Sequence, residues 1–344
     1  MGGIVMKNKK WLATIIGLNL LALGGGKIMN WQRIRNACLT LCVLVITCFM
    51  FTTQVLAADV LRQVVPLERA GVKLYLESFK QPGIQVTEPI LLVHGLTYSS
   101  HEFNVDYGDY SLVRFLSDHG YEVWLLDIAG YGNSGPVKDG FKPNSDYAAE
   151  DIATAVKLIL AKHNLKNMDV LGWSWGTVTS GRFAARYPGL VRKLVLYAPI
   201  VAGLAEIKVE TPFNKNTWVH AAADFQTKAD GTIDYAIVDK TVADTYLSNC
   251  WRYDKDSSPN GGRRDLLTSP QKRLIPTASI KAPVLIISGE KDQYVSPVLC
   301  REAFGTLTNK QSQIEIINGA AHAMLMEKPY YKAFRNKVLH FLQH

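Results

Sequence analysis

The chain has 344 residues, with 38 Lys and Arg against 30 Asp and Glu, for a formal net charge of +8. The excess is local: residues 1–57 hold six cations (Lys7, Lys9, Lys10, Lys27, Arg33 and Arg35) and no acid, leaving 32 cations against 30 acids, or +2, for residues 58–344. So small a remainder excludes a nucleic-acid partner held by a basic face, and a chain of this size can bury a substantial core.

The N-terminal segment reads as a leader. An apolar run from Trp11 to Leu23 is followed by a charged start, Met29-Asn-Trp-Gln-Arg-Ile-Arg, and then by 22 uncharged, mostly apolar residues from Ala37 to Ala58. Small residues at Val55 and Ala57 fit a signal-peptidase site, which predicts cleavage after Ala57. The same 22 residues are long enough to span a bilayer, so an uncleaved signal anchor stays open. Either way the rest of the chain is expected to be exported, periplasmic or secreted, with membrane contact only through this segment. Ordinary signal-peptide geometry begins near the N-terminus, so the sequence predicts a translation start at Met29. Cys48 follows Val-Ile-Thr, a poor lipoprotein box, and no lipid anchor is expected.

Beyond the leader, apolar runs predict strands at Val72–Phe79, as the opening strand, then Ile90–His94, Glu122–Asp127, Met168–Gly172 and Leu194–Tyr197. A helix is predicted over Asp146–Asn164, with Ser145 as its N-cap, and another from Thr177 to Tyr187. Residues 201–282 break the rhythm and contain no convincing buried strand. Two more strands, Pro283–Gly289 and Gln313–Gly319, and a C-terminal helix from Pro329 to Leu342 complete the chain. Short apolar strands alternating with helices predict a mostly parallel sheet covered on both faces.

The strand ending at residue 172 runs into Gly172-Trp-Ser174-Trp-Gly176. That pattern alone arises by chance in about one chain in ten of this length. Between a strand and a helix it becomes a nucleophile elbow, in which a serine on a sharp turn offers its hydroxyl and the glycines make room for neighbouring backbone. Acyl transfer at such a serine needs a base, an acid to orient it, and two N–H donors for the oxyanion. His322 follows the strand at 313–319, and Asp292 follows the strand at 283–289, with Glu290 as a second acid nearby. Trp175 opens the helix after the serine, and Leu96 follows an early strand that ends in His94-Gly95. Their N–H groups are the candidate donors.

These features, in this order, resemble the α/β-hydrolase superfamily, in particular its capped serine esterases and lipase-like members. The resemblance covers roughly residues 60–344 and includes His94-Gly95, the turn from Asp127 through Gly130, Gly132 and Gly135, the elbow, and the Asp292 and His322 loops. It implies a core formed by residues 58–200 and 283–344, with a cap or lid inserted at 201–282. It implies Ser174 as nucleophile, His322 as general base and then acid, Asp292 as orienting acid, and Leu96 and Trp175 as oxyanion donors. The family spacing of glycine, two residues and aspartate favours Asp292 over Glu290. His94 and Asp127 are read as structural. The implied activity is hydrolysis of a small-molecule carboxylic ester, lipid or lactone esters included, with no cofactor and no metal.

Two other readings stay open. An aminopeptidase-type or other amide or thioester hydrolase would need a cap carboxylate, Glu206, Glu210 or Asp224, facing Ser174 to hold an ammonium. A ligand-binding receptor on the same fold would be non-catalytic. The cap aromatics Phe213, Trp218, Phe225, Tyr235, Tyr246, Trp251 and Tyr253 are expected mostly to pack a small core of the cap's own. His220 is a candidate pocket residue, Gly130–Asn144 a flexible border of the entrance, and Asn260–Arg264 a mobile surface turn. Cys250 and Cys300 permit one disulfide or two buried thiols.

Overall fold

The seven residues from Tyr121 to Asp127 are all buried, as are Met168–Trp173 and Val284–Gly289. Side chains alternate along a strand, so complete burial requires cover on both faces of the sheet. A computed structural model, which describes residues 60–344, has that architecture. The expected leader, its cleavage after Ala57, the Met29 start, and Cys38, Cys42 and Cys48 lie outside the described residues.

One eight-stranded sheet contains β1 (Leu61–Arg69), β2 (Val72–Lys80), β3 (Glu88–Val93), β4 (Tyr121–Asp127), β5 (Met168–Trp173), β6 (Val191–Tyr197), β9 (Val284–Gly289) and β10 (Gln313–Ile317). Their spatial order is β1-β2-β4-β3-β5-β6-β9-β10. From β4 to β10 every neighbouring pair is parallel, and β1 and β2 join antiparallel at one edge. Parallel pairing places the carboxyl ends of β3, β5, β9 and β10 along one margin of the sheet. The loops that leave those ends carry Leu96, Ser174, Asp292 and His322.

Helices α1 (Leu112–Asp118), α2 (Ser145–His163), α3 (Trp175–Arg186), α7 (Pro297–Thr306) and α8 (Tyr331–Gln343) connect and cover the strands. Between β6 and β9 lie α4 (Trp218–Ala222), α5 (Lys240–Asp254), α6 (Gly261–Leu266) and a short antiparallel pair, β7 (Phe213–Lys215) with β8 (Ser257–Pro259).

Several local expectations are corrected. The opening strand is β1, ahead of Val72–Phe79. Its largely exposed residues and Pro66 suit a sheet edge and conceal the apolar signal. Ala70 (φ +51°) and Gly71 (φ +77°) turn it into β2, the double positive φ of a tight hairpin. The N-cap of α2 is Asn144, whose side chain accepts from the N–H groups of Asp146 and Tyr147, and Ser145 is already helical. The inserted aromatics do not form a separate core: Phe225 and Tyr246 are buried in the main one, while Phe213, Trp218 and Tyr235 are exposed. Asn260–Arg264 is no mobile surface turn, since Gly261 and Gly262 are buried and begin α6. Gly130–Asn144 supports the insertion, with Tyr131 Oη donating to the Pro259 carbonyl and Gly261 N–H to the Gly140 carbonyl.

Cys250 and Cys300 are separate, buried thiols, so no bridge joins them. Reductant should therefore leave the thermal midpoint of the unit 58–344 unchanged, and a thiol reagent should count two reactive groups there only after denaturation. A midpoint that falls by several degrees on reduction would show a disulfide.

Candidate active site

The single residue between β5 and α3, Ser174, sits at φ +56° and ψ −120°. A non-glycine residue in such a region carries about 1–3 kcal/mol of strain. Neighbouring backbone holds it there. Ser174 N–H donates to the Tyr197 carbonyl at 3.0 Å, and Thr177 donates to the Ser174 carbonyl from its N–H at 2.9 Å and its hydroxyl at 2.5 Å. The flanking glycines are steric requirements: a Cβ on Gly172 would collide with the Gly176 carbonyl, and one on Gly176 with the carbonyls of Val93 and His94.

Asp292 Oδ1 accepts the N–H groups of Tyr294 (2.9 Å) and Val295 (3.1 Å), which leaves Oδ2 to accept His322 Nδ1–H at 2.8 Å. Glu290 is exposed and accepts Gly319 N–H instead, so the structure brings Asp292 rather than Glu290 to the imidazole. Burial pulls the His322 pKa down, but the charge and hydrogen bond of Asp292, reinforced by Asp224 and Glu327, carry it above the ordinary imidazole value. The loop is pinned from behind. Tyr197 Oη donates to the His322 carbonyl at 2.6 Å and accepts Leu325 N–H, while Glu327 accepts Ala321 N–H at 3.0 Å. Sequence reasoning missed Tyr197; a tyrosine ending a buried strand needs a partner for its hydroxyl, and that was the available signal.

Leu96 and Trp175 both lie beside Ser174. Among the described residues, neither backbone N–H donates to another group of the chain, which leaves both for a ligand. Carboxylates tie the neighbouring loop at three amides. Gly95 N–H donates to Glu102 (2.8 Å), Ser99 N–H and Oγ to Asp254 (both 2.8 Å), and Ser100 N–H to Asp127 (3.0 Å). Thr97, at φ +87°, receives a hydrogen bond from Arg263 at 2.8 Å. His94 is structural, as expected: its Nε2 accepts Ile128 N–H, so Nδ1 carries the proton and donates to the Gly95 carbonyl. Burial lowers its pKa and keeps it neutral. Asp127 also accepts Asn133 N–H and takes no part in the cavity wall.

Ser174, Leu96 and His322 open on one cavity of about 220 Å³, walled further by Tyr98, Ile200, His220, Asp224, Arg263 and Tyr294. No hydrogen bond joins Ser174 Oγ to the imidazole; catalytic bonds of this kind commonly tighten only when substrate aligns the two groups. Of the three candidate carboxylates for an ammonium, Glu206 and Glu210 are exposed and away from the cavity, whereas Asp224 lines it and accepts Tyr246 Oη–H at 3.0 Å. Burial raises the Asp224 pKa, with His322 and Tyr246 opposing. His220 lines the cavity too, as anticipated. A larger cleft of about 820 Å³ adjoins, sharing Ala223 and Tyr294 as a partition.

The imidazole shift has a directional test. Followed by NMR in the full chain, His322 should titrate above the ordinary value of about 6.5, and Asp292→Asn should move it downward, because burial then faces less opposition. An unchanged titration in that variant would refute the electrostatic account.

A family model described as serine aminopeptidase, S33, matches residues 85–329. Lipase 3 of Moraxella sp. (strain TA144) is 26% identical over 266 residues, covering 72% of this chain and 78% of that protein. Lipase 1 of Psychrobacter immobilis is 25% identical over 305 residues, with 82% and 90% covered. Among solved structures, an esterase from Exiguobacterium antarcticum aligns with a TM-score of 0.60 at 16% identity, over 82% of this chain and 100% of that one. That likeness shows the fold, and the matched family interval takes in every candidate residue above. With its mostly parallel sheet and flanking helices, the chain has the α/β-hydrolase fold and belongs to the serine aminopeptidase S33 family.

Proposed function

We propose that the chain is a serine hydrolase that cleaves carboxylic esters through an acyl-enzyme. The observation that carries this reading is the meeting, on one cavity, of a serine held at positive φ, an imidazole oriented by Asp292, and Leu96, whose N–H, like that of Trp175 next to the serine, has no acceptor among the described residues. Relatives named as lipases support ester rather than amide substrates.

In this mechanism Ser174 Oγ attacks the ester carbonyl as its proton passes to His322 Nε2. Leu96 and Trp175 N–H groups receive the developing oxyanion, and the imidazolium is stabilised by Asp292. As the tetrahedral intermediate collapses, the C–O bond to the alcohol breaks and His322 returns the proton to the leaving oxygen. Water, deprotonated by the same imidazole, then releases the acid. The charged start and apolar run of residues 29–58 support export as part of this proposal, with the catalytic part either freed after Ala57 or held at the membrane.

One observation favours a second reading. Asp224 places a carboxylate in the cavity wall, where it could accept from an ammonium, as an aminopeptidase-type substrate requires.

Hydrolysis of p-nitrophenyl esters of increasing acyl length, set beside aminoacyl p-nitroanilides, separates the readings. Wild type should cleave the esters, and Ser174→Ala should lose at least about 10³-fold in kcat/KM. Because His322 acts as a base only when neutral, kcat/KM should fall as pH drops through its raised pKa, giving an acid limb above about 6.5. Anilide cleavage without ester cleavage would favour the peptidase. Equal, negligible ester rates in both proteins would overturn the esterase.

A further inference from the structure

Asp254 is the last residue of α5, in the inserted segment, and is only 8% exposed. A carboxylate is unfavourable at a helix C-terminus, where the backbone dipole is negative. Its surroundings add to the difficulty: burial, and then the nearby charge of Asp127, push its carboxyl up to about 7 against the pull of its donors. Neither helix formation nor burial accounts for an acid here.

Its hydrogen bonds do. Oδ2 accepts both Ser99 N–H and Ser99 Oγ–H, and Oδ1 accepts Gly132 N–H, all at 2.8 Å. Ser99 belongs to the loop after β3 and lies three residues beyond Leu96. Gly132 belongs to the loop after β4, the strand paired with β3. One side chain thus clamps two core loops together from the insertion. A second inserted element acts on the same loop, since Arg263 bonds Thr97 and Gly262 lies so close to Leu96 and Trp175 that a Cβ there would press on both side chains.

We propose that Asp254 is a positioning residue that holds the Leu96 N–H in register with the Trp175 N–H, so that the inserted segment supplies part of the framework of the oxyanion site. The proposal rests on the ester-hydrolase reading. Asparagine cannot reproduce the clamp, because its amide end would set N–H groups against an N–H donor from Ser99 or Gly132.

The test uses the full chain, as wild type, Asp254→Asn and Ser99→Ala, the last removing only the hydroxyl donor. A p-nitrophenyl ester supplies kcat and KM. A trifluoromethyl ketone of matching chain supplies a transition-state probe: Ser174 Oγ bonds to its carbonyl carbon, the carbonyl electron pair moves to oxygen, and the serine proton passes to His322. The unfluorinated methyl ketone reports ordinary binding. Asp254→Asn should lower kcat about 10- to 100-fold with KM within about threefold. Trifluoromethyl ketone affinity should fall by a similar factor while methyl ketone affinity holds, and Ser99→Ala should show the same pattern more weakly.

Unchanged kcat and unchanged fluoroketone affinity in either folded variant would overturn the proposal, as would a parallel loss of both ketones' affinities. If Asp254→Asn does not fold, Ser99→Ala decides by the same criteria. Wild-type ester hydrolysis that survives in Ser174→Ala would instead sink the underlying reading, a result distinct from an active wild type whose Asp254 variant matches it.

Discussion

A strand that ends on a serine at φ +56° imposes conditions on everything around it. Strain of about 1–3 kcal/mol persists only where the surroundings leave the chain no easier path. Here the path is closed by backbone: β6 accepts the Ser174 N–H, the first turn of α3 holds its carbonyl, and β3 passes so near Gly176 that no side chain fits. Because β3, β5 and β6 are adjacent parallel strands, the turn that exposes the hydroxyl also fixes where the loops after β3 and β5 meet. Position of the serine and position of the two N–H groups are therefore one structural property rather than two.

The electrostatic setting is unusual in being rich in buried carboxylates. Glu102, Asp127 and Asp254 accept amides of the loop beside Leu96, while Asp292, Asp224 and Glu327 surround His322. The two groups act differently. Carboxylates around the imidazole favour its protonated form, which is the form created when Ser174 gives up its proton. Those under the loop instead take up amide groups at Gly95, Ser99 and Ser100, which fixes the backbone on both sides of Leu96. Burial holds the Glu102 and Asp254 carboxyls above the ordinary carboxylate range, which lessens the negative charge set near an oxyanion.

Legibility in the sequence followed distance along the chain. Ser174, Asp292, His322, Leu96 and Trp175 stand out as candidates because each sits within a few residues of an apolar run that marks a strand end, and the structure brings Ser174, Leu96 and His322 to one cavity with Asp292 bonded to the imidazole. The sheet, apart from β1, was readable for the same reason; β1 fails the test because an edge strand with Pro66 and exposed charges buries too little to show a pattern. Tyr197 and Asp254 were not readable. A tyrosine ending a buried strand announces the need for a partner, but the bonds of Tyr197 and Asp254 reach across 125 and 155 residues, and nothing in the sequence names the group at the far end. Asn260–Arg264 misled for a related reason, since paired glycines mark a turn only when nothing packs on them, and here Gly262 is small because Trp175 and Leu96 occupy the space a side chain would need.

The insertion consequently has less freedom than its lack of sheet structure suggests. It contributes Asp224 and His220 to the cavity wall and Asp254 and Arg263 to the loop beneath, and Gln226 bonds both Glu327 and the Gly319 carbonyl behind His322. A segment that only covered the site could change its length and sequence to suit a new substrate while the chemistry stayed intact. Here α6 does both, lining the cavity with Arg263 and Leu266 while Arg263 bonds Thr97 in the loop beside Leu96, and α5 holds that loop through Asp254. The side chains of Leu204 and His220 line the cavity without a hydrogen bond to the chain among the described residues, whereas Asp254 is held by Ser99 and Gly132 and Arg263 by Thr97, all in core loops. On the proposed reading, a change at α6 alters cavity wall and loop together, whereas a change of substrate size at the partition formed by Ala223 and Tyr294 leaves the loop beside Leu96 untouched.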